Sequence, residues 1–101
     1  MRKTIKINEL KSGGSVDDLF AVRFKKPVST YKNGYSFQLW ISDSGGDMAL
    51  KYWGDKDEKK VKAIWESIEK GSIVQVKGRV NEFKDALEIH VNPVNGDMIG
   101  A

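Results

Sequence analysis

Residues Tyr35 to Gly54, YSFQLWISDSGGDMALKYWG, contain the most informative pattern in the chain. Two segments rich in β-branched and aromatic residues flank residues 43–47, a cluster of Asp, Ser and Gly that favours a turn. This arrangement predicts a β-hairpin. Alternation along each arm gives an apolar face for the core, which holds Phe37, Leu39, Ile41, Met48, Leu50 and Tyr52.

The opposite face of the predicted hairpin carries large aromatic and polar side chains, Gln38, Trp40, Lys51 and Trp53. Bulky aromatic rings beside a lysine suit stacked bases and a phosphate backbone better than they suit bare solvent. This face is therefore the first candidate for a binding surface.

Composition narrows the possible functions. The 101 residues fit one domain with one core, and 40% of them are hydrophobic, as in an ordinary globular chain. The chain has no cysteine, which excludes a disulfide framework, a thiolate zinc site and a Cys nucleophile. Its only histidine, His90, leaves little for a histidine metal site or a Ser-His-Asp triad. The net charge of +3, with the basic excess before Tyr35, is a weak sign of a polyanionic partner.

Targeting signals are not visible in the sequence. No apolar run approaches the roughly 20 residues that a membrane span needs, and the N-terminus, MRKTIKINEL, has no long apolar block for a signal peptide. We therefore expect an intracellular protein, cytoplasmic or nucleoid-associated, with no membrane partner.

Further strands and a helix are predicted on either side of the hairpin. Residues 16–28, VDDLFAVRFKKPV, alternate so that Phe20, Val22 and Phe24 face the core, and Pro27 ends this strand. After the hairpin, Val61, Ile64, Trp65 and Ile68 recur at helical spacing.

The helix has predicted start and stop signals. Asp55 would be its N-cap, with Glu58 completing a capping box, and Gly71 would end it. Two more strands follow at residues 72–80 and 86–92, and Gly78 interrupts the first of them, which suggests a bulge or a sharp bend.

The predicted order is three strands, one helix and two strands. An antiparallel set of this size is best closed into a barrel, which removes exposed edges. The helix would plug its open end with Trp65 in the core. We predict an all-β fold with one helix, a five-stranded OB-fold Greek-key barrel with the helix between strands 3 and 4. One domain would cover residues 1–101, with a core at about 16–92, an N-terminal segment at 1–14 closing one barrel end, and a C-terminal tail at 93–101.

The segments DSGGDMALKYWG and GSIVQVKGRVNEFKDALEIHV, with the helix between them, resemble the single-strand DNA-binding OB domains of the replication protein A family, in its archaeal form. The resemblance covers about residues 16–92. It implies that one base stacks on Trp53, in the Trp-Gly that ends the third strand, and a neighbouring base on Phe83, in the loop between the last two strands. Family members often have Gly after this Phe, where this chain has Lys84 and Asp85, and many join several OB domains to a cysteine zinc module.

The predicted nucleic-acid site combines these two platforms with aromatic and basic neighbours. Trp40 shares the outward alternation of Trp53, and Tyr31 and Tyr35 flank the first loop, so each is a further stacking candidate. The predicted phosphate contacts lie at outward strand positions or in the last loop; they are Arg23, Lys25, Lys51, Arg79 and Lys84.

These residues predict sequence-tolerant binding of single-stranded nucleic acid, DNA ahead of RNA, in replication, repair or recombination. No catalytic residue, metal or cofactor is predicted, and other OB-fold subunits or replication proteins are candidate partners. Two alternatives remain, a structural OB subunit that contacts proteins and an RNA- or tRNA-binding OB domain. A nuclease that binds metal through Asp43, Asp47, Asp55 and Asp57 is the weakest alternative, because Asp is a common turn and cap residue.

Overall fold

Strands make up most of the structure. A computed structural model of the protein describes residues 3–100. In chain order the strands are β1 (Ser15–Lys25), β2 (Ser29–Tyr31), β3 (Gly34–Asp43), β4 (Gly46–Trp53), β5 (Ile73–Phe83), β6 (Ala86–Val91) and β7 (Met98–Gly100). The helix α1 (Glu58–Ser67) lies between β4 and β5, and short 3-10 turns span Ile7–Glu9 and Pro93–Asn95.

The five long strands close into a barrel in the order β1–β3–β4–β6–β5, with β5 pairing back to β1. The predicted OB-fold, with its helix between the third and fourth long strands, is confirmed. One detail differs from the predicted antiparallel set, because the β4–β6 pair is parallel. A closed ring with an odd number of strands cannot alternate in direction throughout, so one pair has to be parallel.

The β3–β4 hairpin has the predicted alternation. Its register runs from Ser36 opposite Trp53 to Asp43 opposite Gly46, with a two-residue turn at the tip. The predicted inward residues of both arms are buried; they are Phe37, Leu39, Ile41, Met48, Leu50 and Tyr52. They belong to a single core that also contains residues of the other barrel strands and α1.

A β-bulge in β1 turns Phe24 away from the core. Val22 pairs with Ile41 and Phe24 pairs with Trp40, so Arg23 has no partner in β3. The extra residue reverses the side-chain alternation beyond it. Phe24 is consequently 43% exposed, and the prediction that it faces the core is wrong.

Helix α1 begins later than predicted. The side chain of Asp57, rather than that of Asp55, caps the helix by accepting a hydrogen bond from the Lys60 N–H at 3.2 Å. Asp55 instead accepts a hydrogen bond from the N–H of Asp57 at 2.9 Å. Gly71 has a left-handed φ of +88°, as expected of a terminating glycine, but the helix already ends at Ser67.

The apolar side of α1 covers one end of the barrel. Val61 and Ile68 are fully buried, whereas Trp65 is only partly buried against the core. The Trp65 indole N–H donates a hydrogen bond to the Lys26 carbonyl at 2.8 Å. The predicted core position of Trp65 is therefore only partly correct, because its polar edge is held at the barrel rim.

A buried carboxylate ties the N-terminal segment to the barrel. Asp18 is fully buried on the inward side of β1, a position normally taken by an apolar residue. It accepts hydrogen bonds from the backbone N–H groups of Thr4, Ile5 and Leu19 at 2.9, 2.7 and 2.7 Å. These contacts satisfy the charge and fix residues 4–5 against β1.

A second carboxylate, at the hairpin tip, extends this attachment. Asp43 accepts hydrogen bonds from the Ile7 N–H at 2.9 Å and the Gly45 N–H at 2.7 Å, and the Lys3 ammonium lies 2.9 Å from it. Ile7 and Leu10 are thereby placed in the core. The N-terminal segment covers this part of the barrel with a 3-10 turn.

The segment at residues 93–100, which was predicted as a tail, contains a 3-10 turn and the strand β7, which pairs with β5 at Gln75–Lys77.

Strand β5 changes partner near Gly78, since it pairs with β1 up to Arg79 and with β6 from there on. A side chain at Gly78 would place its Cβ 2.6 Å from the carbonyl oxygen of His90. Glycine therefore allows this close approach, and the register of β5 shows no bulge there.

We predict that Asp18→Asn destabilises the fold at neutral pH by about 1.5–3 kcal/mol, the usual worth of hydrogen bonds to a charged group. The new amide N–H₂ would face backbone N–H donors. Burial alone would raise the pKa of Asp18, but its hydrogen bonds from Leu19, Thr4 and Ile5 outweigh burial and lower the pKa below its ordinary value. A lowered folded-state pKa gives stability that is complete above the unfolded-state value of about 3.9 and is lost as the pH falls through the folded-state value.

Urea denaturation at pH 7 and at steps down to about pH 3 would measure this effect across the unfolded-state pKa. Asp17→Asn is the matched control, because this neighbouring carboxylate is exposed and accepts one bond of 3.2 Å from Gln75. The difference between wild type and Asp18→Asn should be large at pH 7 and should narrow with acid. Equal losses for the two variants, or a gap independent of pH, would contradict the anchoring role.

Candidate functional site

The solvent side of β3, β4, β6 and the second half of β5 forms one continuous surface, which we name the outer face. Cross-strand register aligns Gln38 with Lys51, Lys51 with His90, and His90 with Arg79. Because side chains on directly paired residues share a side of the sheet, these four residues form one row across four strands. Trp53 lies two residues beyond Lys51, on the same side.

Trp53, the last residue of β4, is held on this surface by other aromatic rings. Its ring makes edge contacts with Tyr31, at a centroid distance of 5.0 Å, and with His90, at 5.7 Å. The Tyr31 hydroxyl donates a hydrogen bond of 2.6 Å to the carbonyl of Gly54, which fixes the tyrosine beside the tryptophan. Trp53 remains partly exposed. Its indole ring is thus pre-oriented and still accessible to a flat ligand.

Two clefts meet at Trp53. The first, of about 310 Å³, is lined by Tyr31, Trp53, His90, Arg79, Asp97 and several asparagines, and we name it the asparagine cleft. The second, of about 440 Å³, is lined by Lys26, Lys51, Gln38, Trp53 and residues of the β1–β3 connection, and we name it the lysine cleft. An extended chain that crossed the outer face would pass over Trp53 between them.

A hydrogen-bonded network organises the middle of the outer face. Glu88 Oε1 accepts from His90 Nε2 at 2.7 Å and lies 3.1 Å from Lys51 Nζ. Because a carboxylate only accepts, His90 carries its proton on Nε2, and Nδ1 accepts from the Asn81 amide at 2.8 Å. Burial alone would raise the pKa of Glu88, but hydrogen bonds from His90 and Lys51 lower it below its ordinary value. Glu88 is therefore a fixed negative charge beside Lys51.

Phe83 lies at the end of β5, where a tight turn presents it to solvent. Its side chain is 51% exposed. The ammonium groups of Lys51 and Lys84 lie over its ring, at 4.7 and 5.3 Å from the centroid. Lys84 and Asp85 both have positive φ, 50° and 64°, as two-residue hairpin turns of this kind require. The turn thus keeps the geometry that glycine would adopt without strain, and its lysine adds a cation beside the exposed ring.

Trp40 lies on the outer face, farther along β3. It is partly exposed and stacks on Phe24 at a centroid distance of 6.1 Å, with the ring planes 8° apart. The bulge in β1 creates this pair. Trp40 and Phe24 therefore extend the aromatic surface towards β1.

Three of the predicted site residues are placed elsewhere. Tyr35 is partly buried against the core. Lys25 donates a hydrogen bond to the Trp65 carbonyl at 2.8 Å, and its ammonium lies 3.8 Å from the centre of that indole ring, so it is directed towards α1. Arg23 is exposed at the bulge and lines neither cleft at Trp53.

The structure brings the remaining predicted residues together on the outer face; they are Trp53, Phe83, Lys51, Arg79, Lys84 and, at its margin, Trp40. Sequence reasoning missed the network residues Glu88, His90 and Asn81. The outward positions of Glu88 and His90 on the last long strand were a usable signal, since they share a face with the predicted site once β6 is placed beside β4.

Three of the four aspartates considered for a metal site, Asp43, Asp55 and Asp57, have other hydrogen-bond partners. Asp43 binds the N-terminal segment, and Asp57 caps α1. Within residues 3–100, no three His, Asp or Glu side chains are grouped so that they could hold a metal ion. In the same part of the chain, no helix is long and apolar enough to cross a membrane.

Solved structures share this fold. The second OB-fold domain of replication protein A from Methanococcus maripaludis has a TM-score of 0.75 and 25% identity, over 95% of this chain and 91% of that one. Pot1pC of Schizosaccharomyces pombe bound to ssDNA has a TM-score of 0.62 and 10% identity, over 97% and 85%. The HINa domain of Ifi202 in complex with 20bp dsDNA has a TM-score of 0.67 and 22% identity, over 96% of this chain.

The chain spans less than half the length of several of these matched chains, for example 45% of the Ifi202 chain and 46% of the chain of the p204 HINb domain. No curated protein sequence matches it. Residues 21–95, about three quarters of the chain, match the family described as the OB-fold nucleic acid binding domain. The chain therefore belongs to the OB-fold nucleic acid binding domain family.

Proposed function

We propose that this domain binds single-stranded nucleic acid, DNA in preference to RNA, along the outer face. The observation that carries the proposal is the position of Trp53, a partly exposed ring fixed between two clefts. Single-strand binding uses such rings as stacking platforms, because every base offers a flat face. Phe83 supplies a second platform, and the Trp40–Phe24 pair a third at the margin.

Cations around these platforms would contact the phosphates. Lys26 and Lys51 line the lysine cleft, Arg79 lines the asparagine cleft, and Lys84 lies at the Phe83 turn. Neutralising one phosphate of a single strand changes the slope of log K against log salt by about −0.7. Because Glu88 holds Lys51 in wild type, the other three cations, Lys26, Arg79 and Lys84, are counted, and they give a slope near −2.

Similar structures support this proposal and suggest a cellular role. One is a replication protein A domain and another is described as bound to ssDNA. A role in replication, repair or recombination, with other OB-fold subunits or replication proteins as partners, is the hypothesis that follows. Such a role would place the protein inside the cell, with the nucleic acid.

We predict that Trp53→Ala weakens the binding of a 5′-labelled oligo-dT by about 5- to 150-fold, the effect of losing one stacked base. Fluorescence anisotropy with the labelled strand measures the affinity independently of tryptophan emission. The salt slope of the variant should stay close to that of wild type, because no phosphate contact is removed.

Ile73→Ala is the matched control, since it removes an exposed apolar side chain that lines neither cleft, and it is expected to leave the affinity unchanged. Competition with unlabelled oligo-rU tests the preference for DNA. Failure of wild type to bind oligo-dT at low salt and high protein concentration would contradict the proposal and would favour a protein-contacting OB subunit. Tighter binding of oligo-rU would favour the RNA-binding alternative.

We also predict that Glu88→Gln strengthens oligo-dT binding and makes the salt slope steeper by about 0.7, one further phosphate contact. In wild type, the carboxylate holds Lys51 at 3.1 Å and competes with a phosphate for it. Glutamine keeps an acceptor for the His90 N–H but no longer neutralises the lysine.

Glu69→Gln, which removes the same charge from an exposed position after α1, controls for the change in net charge. Anisotropy titrations at a series of salt concentrations compare the three proteins. An unchanged slope for Glu88→Gln, or the same gain in both variants, would mean that Glu88 does not restrain Lys51.

A further inference from the structure

The asparagine cleft contains hydrogen-bonding groups that the fold leaves unused. Asp97 Oδ2 accepts from the Asn92 N–H at 3.0 Å, and among residues 3–100 the other carboxylate oxygen has no hydrogen-bond partner. The Arg79 guanidinium lines the same cleft and, within those residues, forms neither an ion pair nor a side-chain hydrogen bond. The two opposite charges therefore share a cleft without pairing, and both remain available to a ligand.

The network beneath the cleft fixes a further acceptor. Because His90 donates through Nε2 to Glu88, the amide nitrogen of Asn81 has to donate to His90 Nδ1. This bond holds the Asn81 amide in one orientation and leaves its carbonyl oxygen as an acceptor at the cleft. The site thus combines acceptors from Asp97 and Asn81 with the donors of Arg79, beside the rings of Tyr31 and Trp53.

This set of groups discriminates among bases. Guanine alone presents two adjacent donors, N1–H and the 2-amino group, and a carboxylate can accept both at once. Its O6 and N7 acceptors are the usual targets of arginine. Adenine and cytosine place an acceptor beside their amino group, and thymine flanks its one N–H with two carbonyls, so each would turn an acceptor towards Asp97. The volume of about 310 Å³ is at the lower end of the usual range for ligand sites, roughly 300–1,000 Å³.

We propose that the asparagine cleft selects guanine at one position of the bound strand. The base lies against Trp53 and Tyr31. Asp97 accepts hydrogen bonds from its N1–H and 2-amino group, and Arg79 donates to its O6 and N7 edge. This inference rests on the proposed single-strand binding. It departs from the fully sequence-tolerant binding predicted from the sequence, because one base is selected while its neighbours stack without discrimination.

The test compares the affinities of labelled strands of nine nucleotides, all dT except for the central one, which is dT, dG, dA or dC. A bidentate base contact discriminates by about 5- to 150-fold, so the dG strand should bind at least five times more tightly than the other three. Replacing the dG by inosine, which retains N1–H and O6 but lacks the 2-amino group, should remove part of this advantage.

Asp97→Asn provides the decisive variant. Asparagine can still accept from the Asn92 N–H, but its amide N–H₂ would oppose a guanine donor. The variant should bind the dG strand no better than the dT strand, and this ratio does not depend on any general change in affinity that the lost charge causes. Asp47→Asn, the same change at an exposed position near the hairpin tip, should keep the dG advantage.

Equal affinities of wild type for all four strands, with Trp53→Ala still weakening them, would overturn guanine selection and leave single-strand binding in place. A dG advantage that survives Asp97→Asn would overturn the assigned role of Asp97. Absence of binding to every strand would overturn the proposed function and this inference together.

Discussion

The register of the β3–β4 hairpin is the constraint on which the rest of the structure depends. With Gln38 opposite Lys51 and Leu39 opposite Leu50, one side of both strands is wholly apolar and the other carries Trp53 and its neighbours. Because side chains alternate with a period of two, a slip of one residue would expose the core side chains and bury those of the outer face. The core and the outer face are therefore fixed by the same hydrogen-bonded ladder.

Buried and half-buried carboxylates then hold parts of the structure that the apolar core does not fix. Asp18 and Asp43 bind backbone N–H groups of the N-terminal segment, so that a chain with little regular structure of its own covers part of the barrel. On the outer face, Glu88 restrains Lys51 and orients His90 by the same means, a carboxylate that accepts several hydrogen bonds. In both places, the hydrogen bonds outweigh the desolvation cost and keep the carboxylate ionised.

Sequence periodicity was sufficient to predict the barrel. It was also sufficient to predict the outward placement of Trp53 and Lys51, because this placement follows from alternation within a single hairpin. Periodicity failed for residues whose placement depends on how one strand pairs with another. The bulge at Arg23 lies in the part of β1 that pairs with β3, beyond the part that pairs with β5. Phe24 therefore could not be placed from the alternation of its own segment. Lys25 faces outward in the sequence pattern, yet in the structure it donates a hydrogen bond to the carbonyl of Trp65 in α1.

The central claim is that nucleic acid lies on the outer face across Trp53. An NMR titration of the ¹⁵N-labelled domain with unlabelled oligo-dT tests this claim most directly, since the indole and amide N–H signals report on each region separately. We expect the largest shift changes at the Trp53 indole and at the amides of Lys51 and His90, while the hairpin tip at residues 43–46 and Ile73 stay unchanged. Shift changes centred on the hairpin tip or on Ile73, with the Trp53 indole unaffected, would contradict this location of the site.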